Sequence, residues 1–137
     1  MSRTHTYKCS VEFEDLDRDE IVHHHKIACY FERAVVHAYQ DDLGIPIRAL
    51  DYNIVLSSIT LECIVAITVN HKPVVHLAAK TVGGASLVWE GTIVSSGTST
   101  ILARALIRHG CVNPRTLRPF RWPKHIIDRL HINDKIL

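Results

Sequence analysis

The chain contains no apolar run of the ~18 to 20 residues that a membrane-crossing helix needs, which excludes a helical spanning protein. Its opening, MSRTHTYKCSVEFED, has no apolar stretch of the kind a secretory leader carries, and this argues against export by that route. The four cysteines, Cys9, Cys29, Cys63 and Cys111, include no C-x-x-C pair. That scatter excludes a disulfide framework and a structural zinc site, and it predicts reduced, mostly buried thiols in a cytoplasmic protein. Repeats, low-complexity tracts and interior linkers are also missing. At 137 residues, 47% hydrophobic and 22% charged, the chain is too apolar for disorder and too short for two comfortable cores. One domain over residues 1–137 is expected.

Several chemistries lack their residues. No G-x-S-x-G motif supports a serine triad, and Gly83–Gly84 is a lone turn pair, which does not make a phosphate loop. The triplet His23-His24-His25 invites a metal, but consecutive helical side chains point ~100° apart and cannot converge on one ion. No second cluster at ligand spacing completes a set, so neither a metal nor a cofactor is expected.

What is present is unevenly charged. Glu12, Glu14, Asp15, Asp17, Asp19 and Glu20 crowd six of the fourteen acids into nine residues. From Arg104 onward lie eight of the sixteen Lys and Arg residues: Arg104, Arg108, Arg115, Arg118, Arg121, Lys124, Arg129 and Lys135. A basic tail can hold phosphates or present a solvated face. Nucleic acid is disfavoured because no aromatic-rich or glycine-loop binding signature accompanies the charge.

Residues 6–13 alternate loosely and predict a strand, and residues 14–20 predict a loop. A helix is predicted from about Val22 to Leu43, with Ile27, Ala28, Phe31, Ala34, Val35 and Ala38 on one face. Gly44 ends it as a C′ residue, and Pro46 bars continuation. Strands follow over 54–69, 74–82, 86–95 and 101–112, then a short helix after Pro123 that runs through Leu130. One strand, one long helix and then consecutive strands predict an α+β fold, an antiparallel sheet packed on the helix. Trp89 and Phe31 are expected in the core or an interface.

Chemistry concentrates in residues 11–33, VEFEDLDRDEIVHHHKIACYFER. The first-turn N–H groups of the helix have no intrahelical acceptors and form a site for a developing oxyanion. A carboxylate just before them can attack a polarised carbonyl or activate water against it. By position alone Asp15, Asp17, Asp19 and Glu20 are all candidates.

The order Phe13-Glu14-Asp15-Leu16-Asp17, Ile21-Val22-His23-His24 and Tyr30-Phe31-Glu32-Arg33-Ala34 resembles the opening of the hotdog-fold acyl-CoA thioesterases. The likeness is to the 4-hydroxybenzoyl-CoA thioesterase type, including the small thioesterases found with the Tol–Pal system. Thr60-Leu61-Glu62, Gly84-Ala85-Ser86-Leu87-Val88-Trp89 and Cys111-Val112-Asn113-Pro114 extend it over nearly the whole chain. The chain departs from the family at Asp19-Glu20, where small residues are usual, and at Lys26-Ile27.

The resemblance implies a hotdog fold, a curved antiparallel sheet wrapped around one long central helix. It implies hydrolysis of an acyl thioester to a free acid and CoA, with Asp17 as nucleophile or general base. The N–H near His24 would polarise the carbonyl, and the His24 side chain would orient substrate or water. Asp15 would be structural or capping. His23, Arg104 and Arg108 are the candidate substrate contacts, the arginines for CoA phosphates, with Arg115, Arg118 and Arg121 behind them. Homodimers joined sheet edge to sheet edge, or dimers of dimers, would carry sites between subunits. An acyl carrier protein is the alternative carrier of the thioester, docked on the basic tail. A non-catalytic acyl-binding or assembly module is the alternative from another class.

Overall fold

Alternation along the later strands decides which face of the sheet is dry. In Ser86–Ser95, Leu87, Trp89, Gly91 and Ile93 are buried, while Glu90 faces solvent. In Ile101–Val112, Ala103, Ala105, Ile107 and His109 are buried and Arg104, Leu106 and Arg108 are exposed. The computed structural model describes residues 4–47 and 52–130. Its elements are β1 (Thr4–Lys8), a 3-10 turn (Phe13–Asp15), α1 (His24–His37), a π-helical turn (Ala38–Asp42), β2 (Asn53–Cys63), β3 (Pro73–Gly83), β4 (Ser86–Ser95), β5 (Ile101–Val112) and α2 (Lys124–Leu130).

The strands form one sheet in the order β1-β3-β4-β5-β2, every pair antiparallel. β1 and β2 are its two edges, so α1 carries the chain from one edge to the other across the dry face. Ile27, Tyr30, Phe31, Ala34 and Val35 of α1 are buried there. Gly91 sets the contact distance, because a Cβ at that position would lie 2.8 Å from Cε1 of Phe31 and 2.9 Å from Cδ2 of Leu77. Phe31 and Trp89 are fully buried, as expected. The α+β expectation of a sheet on one long helix is met, and no helix among the described residues is long and apolar enough to cross a membrane.

Element ends differ from the sequence expectation. The first strand spans 4–8 and not 6–13, because the chain turns at Glu12, whose N–H donates to Asp15 Oδ2 (2.9 Å) and whose carbonyl accepts the Asp15 N–H (2.9 Å). Phe13, counted as a strand residue from its pattern, stands 89% exposed on that turn. Ile21 and Val22 are extended, bridged to Thr68 and Leu16, so α1 starts two residues late. Its last turn is wound as a π-helix, with the Leu43 N–H donating to the Ala38 carbonyl at 2.9 Å. Gly44 then takes φ +65°, the left-handed geometry predicted for it. The second strand ends at Cys63 and not at 69: the Ile64 and Val65 amides both converge on the Leu102 carbonyl, which a regular ladder does not allow. The thiols are less buried than predicted. Cys111 is buried, Cys9 and Cys29 are half-buried, and Cys63 is exposed. Arg115, Arg118 and Arg121 are exposed on the loop after β5, and Lys135 lies outside the described residues.

Candidate active site

The acidic segment folds into a narrow antiparallel hairpin that delivers the chain to α1. Asp15 is its buried foot, 3% exposed. Oδ2 of Asp15 accepts the Glu12 N–H and the Tyr30 hydroxyl (2.8 Å), Lys26 Nζ stands 3.8 Å from Oδ1, and the Asp15 carbonyl accepts the His23 N–H at 2.9 Å. Burial alone would push this carboxyl up, but the two donors and the charges of Lys26 and Arg33 outweigh it and hold the group below the ordinary range. Asp15 thus ties the hairpin to the helix, the structural role the resemblance implied.

Asp17 closes the hairpin tip. Its N–H donates to the Ile21 carbonyl (2.8 Å) and its carbonyl accepts the Glu20 N–H (3.0 Å). Oδ1 accepts the N–H groups of Ile21 (3.1 Å) and Asp19 (2.8 Å). Oδ2 has no hydrogen-bond partner among the described residues. The Ile21 donor lowers the carboxyl most; the Asp19 donor and the charges of His23 and Arg18 add to it, so Asp17 is an anion at neutral pH. The turn needs Glu20 at φ +64°, a conformation glycine adopts without strain.

The first turn of α1 is uncapped. His23, the N-cap, makes no side-chain cap bond, and no acid occupies the first turn. Lys26 and Ile27 donate to the His23 carbonyl at 2.9 and 3.1 Å, leaving the His24 and His25 amides without acceptors among the described residues. The hairpin runs straight into this turn: Asp17 pairs with Ile21 at its tip and Asp15 with His23 at its foot, and the charge of His23 reaches Asp17. His24 and His25 are exposed, and the His23 and His25 rings stack at 5.0 Å. Among the described residues no three His, Cys, Asp or Glu side chains are grouped to hold a metal ion.

The basic candidates are elsewhere. Arg104 and Arg108 stand on the outer face of β5, with the sheet between them and α1. Arg104 pairs with Glu62 at 3.2 Å and Arg108 donates to Ser86 Oγ at 3.4 Å. Burial pushes the Cys9 and Cys111 thiols up to about 11, so neither is a ready thiolate nucleophile.

A second polar cluster is not legible in the order of the residues. His109, 4% exposed on β5, places Nε2 3.3 Å from Glu32 Oε1 and Nδ1 3.4 Å from the Tyr39 hydroxyl. Trp89 Nε1 donates to the same hydroxyl at 3.2 Å. Glu32 and His109 are 77 residues apart and become neighbours only through the fold.

With this geometry in hand, known structures define the class of fold. A 1,4-dihydroxy-2-naphthoyl-CoA thioesterase of Synechocystis superposes with a TM-score of 0.87 at 15% identity, over 96% of this chain and 98% of that one. A Staphylococcus aureus protein solved with CoA gives 0.86 at 15% identity, over 98% and 86%. A Thermus thermophilus thioesterase solved with coenzyme A and Zn gives 0.78 at 20% identity, over 96% and 94%. No protein-family profile matches the chain, and no curated protein is similar to it in sequence. The fold is the hotdog fold, shared with these three structures, two of which are thioesterases.

Proposed function

We propose that this protein is an acyl-CoA thioesterase that releases a free acid and CoA, with Asp17 as nucleophile or general base. The observation that carries this reading is an ionised Asp17 with one unoccupied oxygen, on the hairpin that runs into two unfilled helix-terminal amides. A thioester between them has its carbonyl oxygen polarised by the His24 and His25 N–H groups, while the carboxylate attacks the carbon or takes a proton from water. The thiolate is a good leaving group, so neither a triad nor a metal is required. His24 and His23, at the same turn, orient substrate or water. Two neighbours in fold are solved with CoA, one of them a thioesterase, and they support CoA as the thiol carrier. Arg104 and Arg108, on the far face of the sheet, enter this reading as phosphate contacts for substrate held by a second copy.

A panel of acyl-CoA and acyl carrier protein thioesters, read by free-thiol release, tests the activity and its carrier. Asp17→Asn should lower kcat by about 10²-fold or more with the fold intact. Full activity in that variant removes Asp17 from the mechanism. Binding of acyl groups without turnover on any thioester would leave the non-catalytic module in its place.

A further inference from the structure

Between α1 and the edge strand β2 lies a cavity of about 360 Å³, away from the helix start. Its walls are mainly apolar, Val35 and Val36 from the helix and Ile54 and Val55 from β2, and its polar groups include Glu32 and His109. Mostly apolar linings with few placed polar groups are the mark of small-molecule sites. Three further observations say what kind of group it takes.

First, the polar chain has a direction. Trp89 Nε1 can only donate, so the Tyr39 oxygen accepts from it; the Tyr39 O–H then donates to His109 Nδ1. That leaves the proton of a neutral His109 on Nε2, donating to Glu32 Oε1. Second, the chain ends on an acceptor. Glu32 Oε2 has no hydrogen-bond partner among the described residues, and the side chain is half-exposed where it meets the cavity. Third, the π-helical turn that begins at Ala38 carries Tyr39, and such turns are frequent at functional sites. Glu32 lies eight residues beyond His24, about 12 Å along the helix at 1.5 Å per residue, the reach of a medium-length acyl chain.

We infer that this cavity receives the far end of the acyl group and selects for a hydroxyl there, donated to Glu32 Oε2, with His109 as the positioning residue that holds the carboxylate. The inference rests on the thioesterase reading for the identity of the ligand as an acyl group. A plain alkyl end brings no donor to Glu32 Oε2, and an ω-carboxylate places like charges together.

The test compares octanoyl-CoA, ω-hydroxyoctanoyl-CoA and the ω-carboxyl analogue, together with calorimetric binding of the three corresponding free acids. Wild-type protein should favour the hydroxylated substrate over the alkyl one by about 10- to 100-fold in kcat/KM, the range of a hydrogen bond to a charged acceptor. The ω-carboxyl analogue should be the poorest. Binding of the hydroxy acid should shift the His109 ring nitrogen resonances. In Glu32→Gln the hydroxyl-to-alkyl ratio should fall to about 2-fold or less and the ω-carboxyl analogue should gain relative to both. Equal rates and affinities for hydroxylated and alkyl ligands, or an unchanged ratio in Glu32→Gln, would overturn the inference. If no thioester is hydrolysed, the activity reading fails, but the free-acid affinities and the His109 shifts still decide this one.

Discussion

Asp15 and Asp17 are separated by Leu16 alone and are chemically unlike. The carboxylate of Asp15 is sealed beneath Tyr30 with both neighbours donating to it, whereas Asp17 spends one oxygen on its own turn and keeps the other. Because Asp15 is held below the ordinary carboxylate range in the folded chain, its stabilising effect is present above the unfolded value, ~3.9, and disappears as pH falls through the lower folded value. Asp15→Asn leaves one donor facing an amide N–H and should cost about 1 to 3 kcal/mol at pH 7. Denaturant unfolding at several pH values should show the gap between the two proteins closing below pH ~4. The lowered Asp17 gives a kinetic counterpart: kcat/KM should stay flat on the acid side until pH falls to ~4 or below, because the ionised form persists to that point.

At the scale of elements, the helix-to-sheet spacing depends on the absence of one side chain. Gly91 lies on the dry face of β4 under the ring of fully buried Phe31, and an added methyl would meet Phe31 and Leu77 at under 3 Å. Gly91→Ala should destabilise by about 1 to 3 kcal/mol by pushing α1 off the sheet, measurable as a lower denaturation midpoint. The same elements mark how far sequence reasoning reached. β4 and β5 matched their predicted bounds because apolar alternation and turn residues agree at both ends. β1 did not, because Val11 and Phe13 carry a strand pattern while the Glu12–Asp15 backbone bonds turn the chain. Helical periodicity persists through Ala38, so nothing in the residue types announces the change to π winding. Local order displayed the acids and the helix start, and the family resemblance singled out Asp17. Glu32–His109 was hidden because a lone histidine on a strand is silent until a residue on a distant helix faces it.

For the whole molecule, the topology leaves one long edge open. β1 is an edge of 5 residues, but β2 offers 11, paired among the described residues to β5 on one side only. Exposed Val55 and Leu56 on β2, and Ile64 and Val65 just past it, make that border apolar as well as unpaired. Such an edge is a template for another strand, and monomeric proteins usually blunt it with charge or proline. A second copy pairing β2 with β2 about a twofold axis would satisfy the free N–H and C=O groups of that edge. The homodimer is therefore the assembly this edge favours. Lysines at exposed Ser58 and Thr60 would face their own kind across such an axis, and like charges directly opposite destabilise strand pairs. Light scattering should give the mass of two chains for the wild type and of one for Ser58→Lys/Thr60→Lys, with the sheet signal in circular dichroism kept. A wild-type protein that runs as a single chain at micromolar concentration would show that β2 has some other cover, and the site would then have to work within one copy.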